Sequence, residues 1–197
     1  ASPEKLLEQA TQGPESVRLE LGEVLTRRWG HLGAEARQSV AALCQTQAPM
    51  VVRSRLATPS TTTVPEQLEP IPAPEWAPNL RFWHCLSPAD FLRSEAFAGG
   101  TYYIQDPSTT LAPAMLAARE GMRIADLCAA PGGKSLLLAE AVGTTGQVVC
   151  VDRSAHRMRQ LRENTHDLPT IQLAVADALW APFQPKTFDG VLLDVPC

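Results

Sequence analysis

The sequence predicts an α/β protein: a doubly wound parallel sheet in its second half, preceded by a small α/β module. Two observations carry this. From Arg123 onward, apolar runs of strand length alternate with amphipathic helical stretches, the pattern of parallel strands joined by crossover helices. The first of those runs, Ile124 to Cys128, breaks into Ala129-Ala130-Pro131-Gly132-Gly133 ahead of a helix from Lys134 to Val142. A buried strand, a tight loop that permits close backbone approach and a helix N-terminus together form a cofactor cradle.

A chain of 197 residues with 45% hydrophobic content can fill one generous domain or two small ones. No apolar run approaches the roughly 20 residues of a membrane span, and Ala1-Ser2-Pro3-Glu4-Lys5 opens no signal-peptide apolar region, so a soluble, cytoplasmic protein is expected. Cys44, Cys85, Cys128, Cys150 and Cys197 include no close pair, which suggests neither a disulfide framework nor a zinc knuckle; a reducing compartment and no metal are expected. A net charge of -4 argues against a general nucleic-acid coat. Local charge differs: Arg27, Arg28, Arg37, Arg53 and Arg55 face only Glu35 in the same window, either as a solvated face or as an RNA contact.

Residues 1–14 form a polar helix fragment that turns at Gly13-Pro14. Apolar positions Val17, Leu21, Val24, Leu25 and Trp29, then Ala36, Val40, Leu43 and Cys44, predict two short amphipathic helices, with Cys44 as core. Pro49 to Leu56 reads as a strand whose alternation places Arg53 and Arg55 on one face, an RNA-facing edge. Residues 57–78, with prolines at 59, 65, 70, 72, 74 and 78, read as a long extended surface loop. Leu80 to Leu86 returns to strand character and Pro88 to Phe97 to a short helix. His84 lacks partners at metal-ligand spacing and is structural, while Trp76 and Trp83 are core residues sooner than base-stacking platforms.

Gly99-Gly100 opens the second regime, with a strand at Thr101 to Asp106 and a helix from Pro107 whose Leu111, Met115 and Leu116 face the sheet. Strands follow at Arg123 to Cys128, Gln147 to Asp152, Ile171 to Asp177 and Phe188 to Asp194, with helices at Lys134 to Val142 and Ser154 to Asn164.

Asp152, Asp177 and Asp194 lie at C-terminal strand ends, the edge at which open α/β sheets bind ligands. Asp152 stands about 20 residues past the glycine loop, where a carboxylate can accept ribose hydroxyls; helix capping by Asp152 or Ser154 is the bland alternative. Asp177 is either an acceptor for an adenine amino proton or a turn residue. The loop is not Gly-x-Gly-x-x-Gly, and Ala129 stands where a phosphate loop needs its first glycine. Asp126 beside the turn, with acids at successive strand ends, suits a cationic, hydroxyl-rich nucleoside such as S-adenosylmethionine. Lys134, in a tight loop beside acids, reads as functional. Asp194-Val195-Pro196-Cys197 sets a carboxylate and a thiol at one strand exit, where a thiolate could add to carbon 6 of a pyrimidine and an acid could hold ring N3.

Taken together, these residues resemble the RNA 5-methylcytosine methyltransferase family, the RsmB or Sun-like enzymes. The resemblance rests on Asp126 to Ser135, on Gly99 to Ser108 as the entry strand, on Val151-Asp152 with Arg157 and Asn164, and on Asp194-Val195-Pro196-Cys197. It covers residues 99–197 closely and 25–56 loosely. It implies a Rossmann-like S-adenosylmethionine-dependent methyltransferase fold, here with a partial sheet. Residues 99–197 would be the N-terminal part of the catalytic domain, and residues 1–98 an RNA-recognition-like module. It further implies that S-adenosylmethionine is contacted by Cys128, Ala129, Ala130, Pro131, Gly132, Gly133, Lys134, Asp152, Arg157, Asp177 and Asp194, and that the reaction is methylation of cytosine carbon 5 in RNA, ribosomal in preference to transfer RNA. Cys197, Asp194 and Lys134 are the catalytic candidates.

The sequence departs from the family pattern in two ways. The family's nucleophile is a second cysteine in a downstream Thr-Cys motif absent here; chemistry alone nominates Cys197 as nucleophile, whereas the resemblance assigns it to product release. Strands after Arg123 are expected in the spatial order third, second, first, fourth, which leaves Val191 to Asp194 as an open apolar edge. The remaining half of the catalytic domain is therefore expected as a partner or a missing segment. The competing reading is a non-catalytic RNA-binding or assembly factor on a methyltransferase scaffold.

Overall fold

The computed structural model describes residues 48–55, 62–180 and 182–195, with the isolated residues 31, 33, 35 and 36. The chain divides into two compact units, Ala1–Pro49 and Met50–Cys197. Of the helices expected between Val17 and Cys44, only Glu35 and Ala36 are among the described residues, and both are helical. The second unit is built on two four-stranded sheets, one parallel and one antiparallel.

Strand β6 (Gln147–Asp152) is buried from Val148 to Asp152 because it has neighbours on both sides and helices over its faces, the environment that selects a continuous apolar run over an alternating one. It pairs in parallel with β5 (Arg123–Asp126), Ile124 opposite Val148 and Asp126 opposite Cys150. On its other side it pairs with β7 (Ile171–Val175), and β8 (Gly190–Leu192) closes on β5 with Leu192 opposite Asp126. The order β7-β6-β5-β8 is the third, second, first, fourth arrangement expected. All four strands run the same way, so Asp126, Asp152 and the residues after Val175 and Leu192 emerge at one edge.

Helix α4 (Gly133–Val142) buries Leu136, Leu137, Leu138 and Ala139 in succession, so it is apolar almost all round and has protein on more than one side. Helix α5 (Ala155–Thr165) buries only Met158, Leu161 and Thr165, a single stripe. Its N-cap is Ser154, whose hydroxyl accepts from the Arg157 N–H at 3.3 Å. Ile124, Leu138, Val142, Val148, Cys150 and Leu161 form the centre of the core, each aliphatic side chain among them contributing roughly 1.5–3 kcal/mol on burial.

The second sheet is antiparallel, in the order β2 (Leu68–Ile71), β3 (Phe82–Cys85), β1 (Val51–Ser54), β4 (Tyr102–Ile104). Val52, Trp83, Phe91 and Tyr102 fill its core, Trp83 edge-on to Tyr102 at 5.4 Å, so Trp83 is a packing residue. Two short helices, α1 (Pro88–Phe91) and α2 (Glu95–Ala98), stand where a single one was expected.

Several expectations are corrected. The proline-rich stretch is not loop throughout: Leu68–Ile71 pairs with β3, and Pro70 is tolerated because β2 lies at the edge of the sheet. Arg53 and Arg55 do not form an RNA-facing edge, because β1 is an interior strand and Arg53 is fully buried. The strand Tyr102–Ile104 lies in the antiparallel sheet beside β1, with Val52 opposite Ile104. Finally, a 3-10 turn at Pro107–Thr110 shifts the phase of helix α3 (Leu111–Leu116). Leu116 packs on the core as expected, but Met115 is 78% exposed and Leu111 faces out with it, one turn apart on the same face.

Candidate functional site

The site grows from the end of β5. Asp126 is buried, and its Oδ2 accepts from the Ser135 hydroxyl at 2.7 Å. Burial pushes the Asp126 carboxyl above its ordinary range, against the hydrogen bonds from Ser135 and the Cys128 N–H and the charge of Lys134. This corrects the reading of Asp126 as an acid that meets a cationic ligand: it ties strand β5 to helix α4 across the loop.

The loop between them is pinned from three directions. The Leu127 N–H donates to the Leu192 carbonyl and the Ala129 N–H to the Val151 carbonyl, each at 3.0 Å, anchoring it to β8 and β6. Helix α5 supplies Arg157, whose Nη2 donates to the Ala130 carbonyl, and Asn164, whose Nδ2 donates to the Pro131 carbonyl at 2.9 Å. From the antiparallel sheet, Tyr103 donates its hydroxyl to the same Pro131 carbonyl at 3.4 Å. The Ala130–Pro131 peptide is cis. Gly132 has φ 113°, which few other residues adopt, and a Cβ there would lie 3.2 Å from Leu161 Cγ. A Cβ on Gly133 would lie 3.0 Å from Tyr103 Cε1. The two glycines are therefore required by packing on opposite sides of the loop.

Asp152 is buried at the end of β6, with Oδ1 accepting from the Ser154 N–H at 2.9 Å and Oδ2 at 3.3 Å from Arg157 Nη1. Ser154 performs the capping, so Asp152 is left to fix the strand end and to offer its remaining lone pairs to a ligand. Asp177 is exposed, and its Oδ1 accepts from the Leu179 N–H at 2.9 Å, opening a 3-10 turn at Ala178–Trp180. Lys134 Nζ pairs with Asp194 Oδ2 at 2.5 Å, joining the first turn of α4 to the chain just past β8. Cys128 is half-buried, and burial with the nearby Asp152 and Asp126 charges raises its thiol, which keeps it protonated and unsuited to nucleophilic attack. Cys197 lies outside the described residues.

Cys128 to Lys134, Asp152, Arg157 and Asp194 thus converge at one sheet edge. Residues given no specific role from sequence also belong there: Ser135, Tyr103 and Gln105. Nothing in periodicity marks them, because each acts through a tertiary contact. A cavity of about 200 Å³ opens between the loop and the stretch from Tyr103 to Thr109, with Gln105 and Lys134 in its wall. A larger hollow of about 940 Å³ lies between β4 and α5, yet its Arg55 is already paired with Asp167 at 2.6 Å, so the smaller cavity is the better placed for a ligand of the loop. The described residues contain no cluster of His, Cys, Asp and Glu able to hold a metal. They fit a nucleoside cofactor instead: a glycine loop open to close approach, a buried carboxylate at the next strand end, and hydrogen-bond donors in the cavity wall.

The comparisons with known proteins agree with this geometry. Residues 113–197 match the family model described as 16S rRNA methyltransferase RsmB/F. The ribosomal RNA small subunit methyltransferase B of Vibrio cholerae is 38% identical over 117 residues, covering 57% of this chain and 27% of that protein. The human 28S rRNA (cytosine(4447)-C(5))-methyltransferase is 35% identical over 103 residues, covering 51% of this chain and 13% of the relative. Among solved structures, a methyltransferase homologue from Pyrococcus horikoshii superposes with a TM-score of 0.75 at 24% identity, covering 91% of this chain and 61% of the other, a likeness of fold. The chain spans about a quarter of the length of the first bacterial relatives it matches. With its parallel sheet in the order β7-β6-β5-β8 and its pinned Asp126 to Ser135 loop, the chain is similar over residues 113–197 to the RsmB/F methyltransferase family.

Proposed function

We propose that this chain contributes the cofactor half of an enzyme that methylates carbon 5 of cytosine in RNA, ribosomal RNA in preference to transfer RNA, with S-adenosylmethionine as methyl donor. The observation that carries this reading is the Cys128 to Gly133 loop, held open beside the buried Asp152 at the next strand end. The names of the ribosomal RNA methyltransferases to which the chain is similar support the substrate class.

S-adenosylmethionine supplies an electrophilic methyl group on a sulfonium. In this reading the backbone of Cys128 to Gly133 lies along the donor, Asp152 accepts its ribose hydroxyls with Arg157 holding the carboxylate in place, and Asp177 sits at the same edge. Lys134 positions Asp194, and Asp194, as the protonated acid, donates to ring N3 of the target base. Cys197 assists release of the methylated product, as its place in the Asp-x-Pro-Cys motif implies. Residues 1–98 provide RNA recognition and residues 99–197 the first part of the catalytic domain, in a cytoplasmic protein. No described helix is long and apolar enough to cross a membrane. The exposed apolar side chains of Val191 and Leu193 at the β8 edge support further strands that complete the sheet from a segment outside this sequence.

Bisulfite sequencing of cellular RNA with and without the full-length gene tests the assignment. One or more cytosines should lose protection when the gene is removed; an unchanged pattern across ribosomal and transfer RNA overturns it.

A further inference from the structure

Gln105 belongs to the Gly99 to Ser108 motif but stands outside the set of ligand contacts that the family resemblance implies. It is only 6% exposed and lies in the wall of the cavity beside the loop. Its Oε1 accepts from Arg53 Nε at 2.9 Å. A guanidinium has donors and no acceptor, so the atom facing it must be the amide oxygen, and the amide cannot be turned round. The amide nitrogen is therefore directed the other way, to the loop: a Cβ on Gly133 would lie 3.4 Å from Nε2. Among the described residues no acceptor meets this NH₂ group. Arg53 is itself fixed, with Nη1 donating to the Ser54 carbonyl at 2.9 Å and to Glu140 Oε2 at 3.1 Å.

The surrounding groups define the charge of whatever the NH₂ group meets. Helix α4, ten residues long, begins at Gly133 with its free N–H groups toward the loop, and the Lys134 ammonium in the same wall is paired with Asp194. The carboxylate in that wall, exposed Asp106, accepts from the Ser108 N–H at 2.8 Å and the Ser108 hydroxyl at 2.6 Å, both through Oδ1. The helix N–H groups and the buried Gln105 NH₂ group face the cavity together as donors, an arrangement that suits a carboxylate. We propose that Gln105 donates a hydrogen bond to the α-carboxylate at the amino-acid end of the methyl donor, and that buried Arg53 is the positioning residue that aims it. This rests on the S-adenosylmethionine reading above.

Isothermal titration of the full chain with S-adenosylmethionine and with its decarboxylated analogue, which keeps the amine and the sulfonium, provides the test. Gln105→Leu removes the donor. Gln105→Glu keeps an acceptor for Arg53 and faces the ligand carboxylate with another. Both variants should bind S-adenosylmethionine roughly tenfold or more weakly while binding the decarboxylated analogue as the wild type does. Gln105→Glu decides the matter should the leucine variant fail to unfold cooperatively. Arg53→Lys keeps the charge for Glu140 but lacks Nε, and should show the same ligand-selective loss. Equal losses for the two ligands, or no loss for S-adenosylmethionine, overturn the assignment of Gln105, and a uniform loss in Arg53→Lys reduces Arg53 to a structural ion pair. A wild-type chain that binds neither ligand overturns the methyl-donor reading itself.

Discussion

The Ser135 hydroxyl donates to Asp126 Oδ2 at 2.7 Å with both residues buried, so the end of strand β5 and the first turn of helix α4 are joined beneath the loop that separates them. A carboxylate buried beside one hydroxyl depends on that hydroxyl more than a surface acid would, because water cannot replace the lost bond.

Ser135→Ala is therefore expected to destabilise the chain by about 1–3 kcal/mol at pH 7. Because burial raises the folded-state pKa of Asp126, this group's favourable contribution is fully present below its unfolded value, near 3.9, and is lost as pH rises through the folded value. Losing Ser135 raises the folded value further, so the difference from wild type should grow between pH 4 and pH 7. Urea melts at the two pH values measure it, and a difference that shrinks with rising pH contradicts the account.

Arg53 and Glu140 pair at 3.1 Å with their side chains 0% and 7% exposed. Removing one charge from a buried pair strands the other, so Glu140→Leu should cost about 3–5 kcal/mol. The double variant Arg53→Met with Glu140→Leu should cost clearly less than the sum of the single changes. Thermal unfolding of the four-member cycle checks this, and strict additivity would show that the two side chains do not interact.

Burial pushes the Cys150 thiol up to about 12 and also raises that of buried Cys85, whereas Cys128 is only half-buried. Iodoacetamide at pH 8 should alkylate Cys128 in the native chain well before either of the others, which should react only on unfolding. Peptide mapping after timed quenching reads the order. Early labelling of Cys150 would contradict the burial of β6.

Asp152 is buried at the end of β6 with Arg157 beside it, whereas Asp177 is exposed and holds a turn through Oδ1. Asp152→Asn should weaken adenosine-containing ligands about tenfold or more, and Asp177→Asn should have a much smaller effect. Titration with S-adenosylhomocysteine distinguishes them; the reverse ranking would reassign the ribose acceptor.

The parallel half was legible because its signals are local. Val148 to Val151 is apolar without interruption, Ser154 caps the helix after it, and Pro131-Gly132-Gly133 can do little except turn. The antiparallel half was legible only in part. Arg53 and Arg55 alternate as an exposed edge would, and only the distant Glu140 and Asp167 turn them into buried and half-buried partners. Leu68–Ile71 was hidden by its prolines, which an edge strand accepts and an interior strand does not. Asp126 illustrates the same limit within the site: sequence places it beside the loop, but only the fold shows that Ser135 claims it.

The Pro131 carbonyl accepts from Asn164 of helix α5 and from Tyr103 of strand β4, residues 33 and 28 positions away along the chain. Grafting is consequently not a matter of copying one motif. A synthetic peptide spanning the strand, loop and helix would lack both clamps and should not bind nucleoside, and a designer transplanting the loop into another scaffold must carry three separate segments with it. Similarity confined to Asp126 to Ser135 is thus a poor guide to whether an unrelated sequence has the same site; tyrosine and asparagine at the matching distances are the better diagnostic.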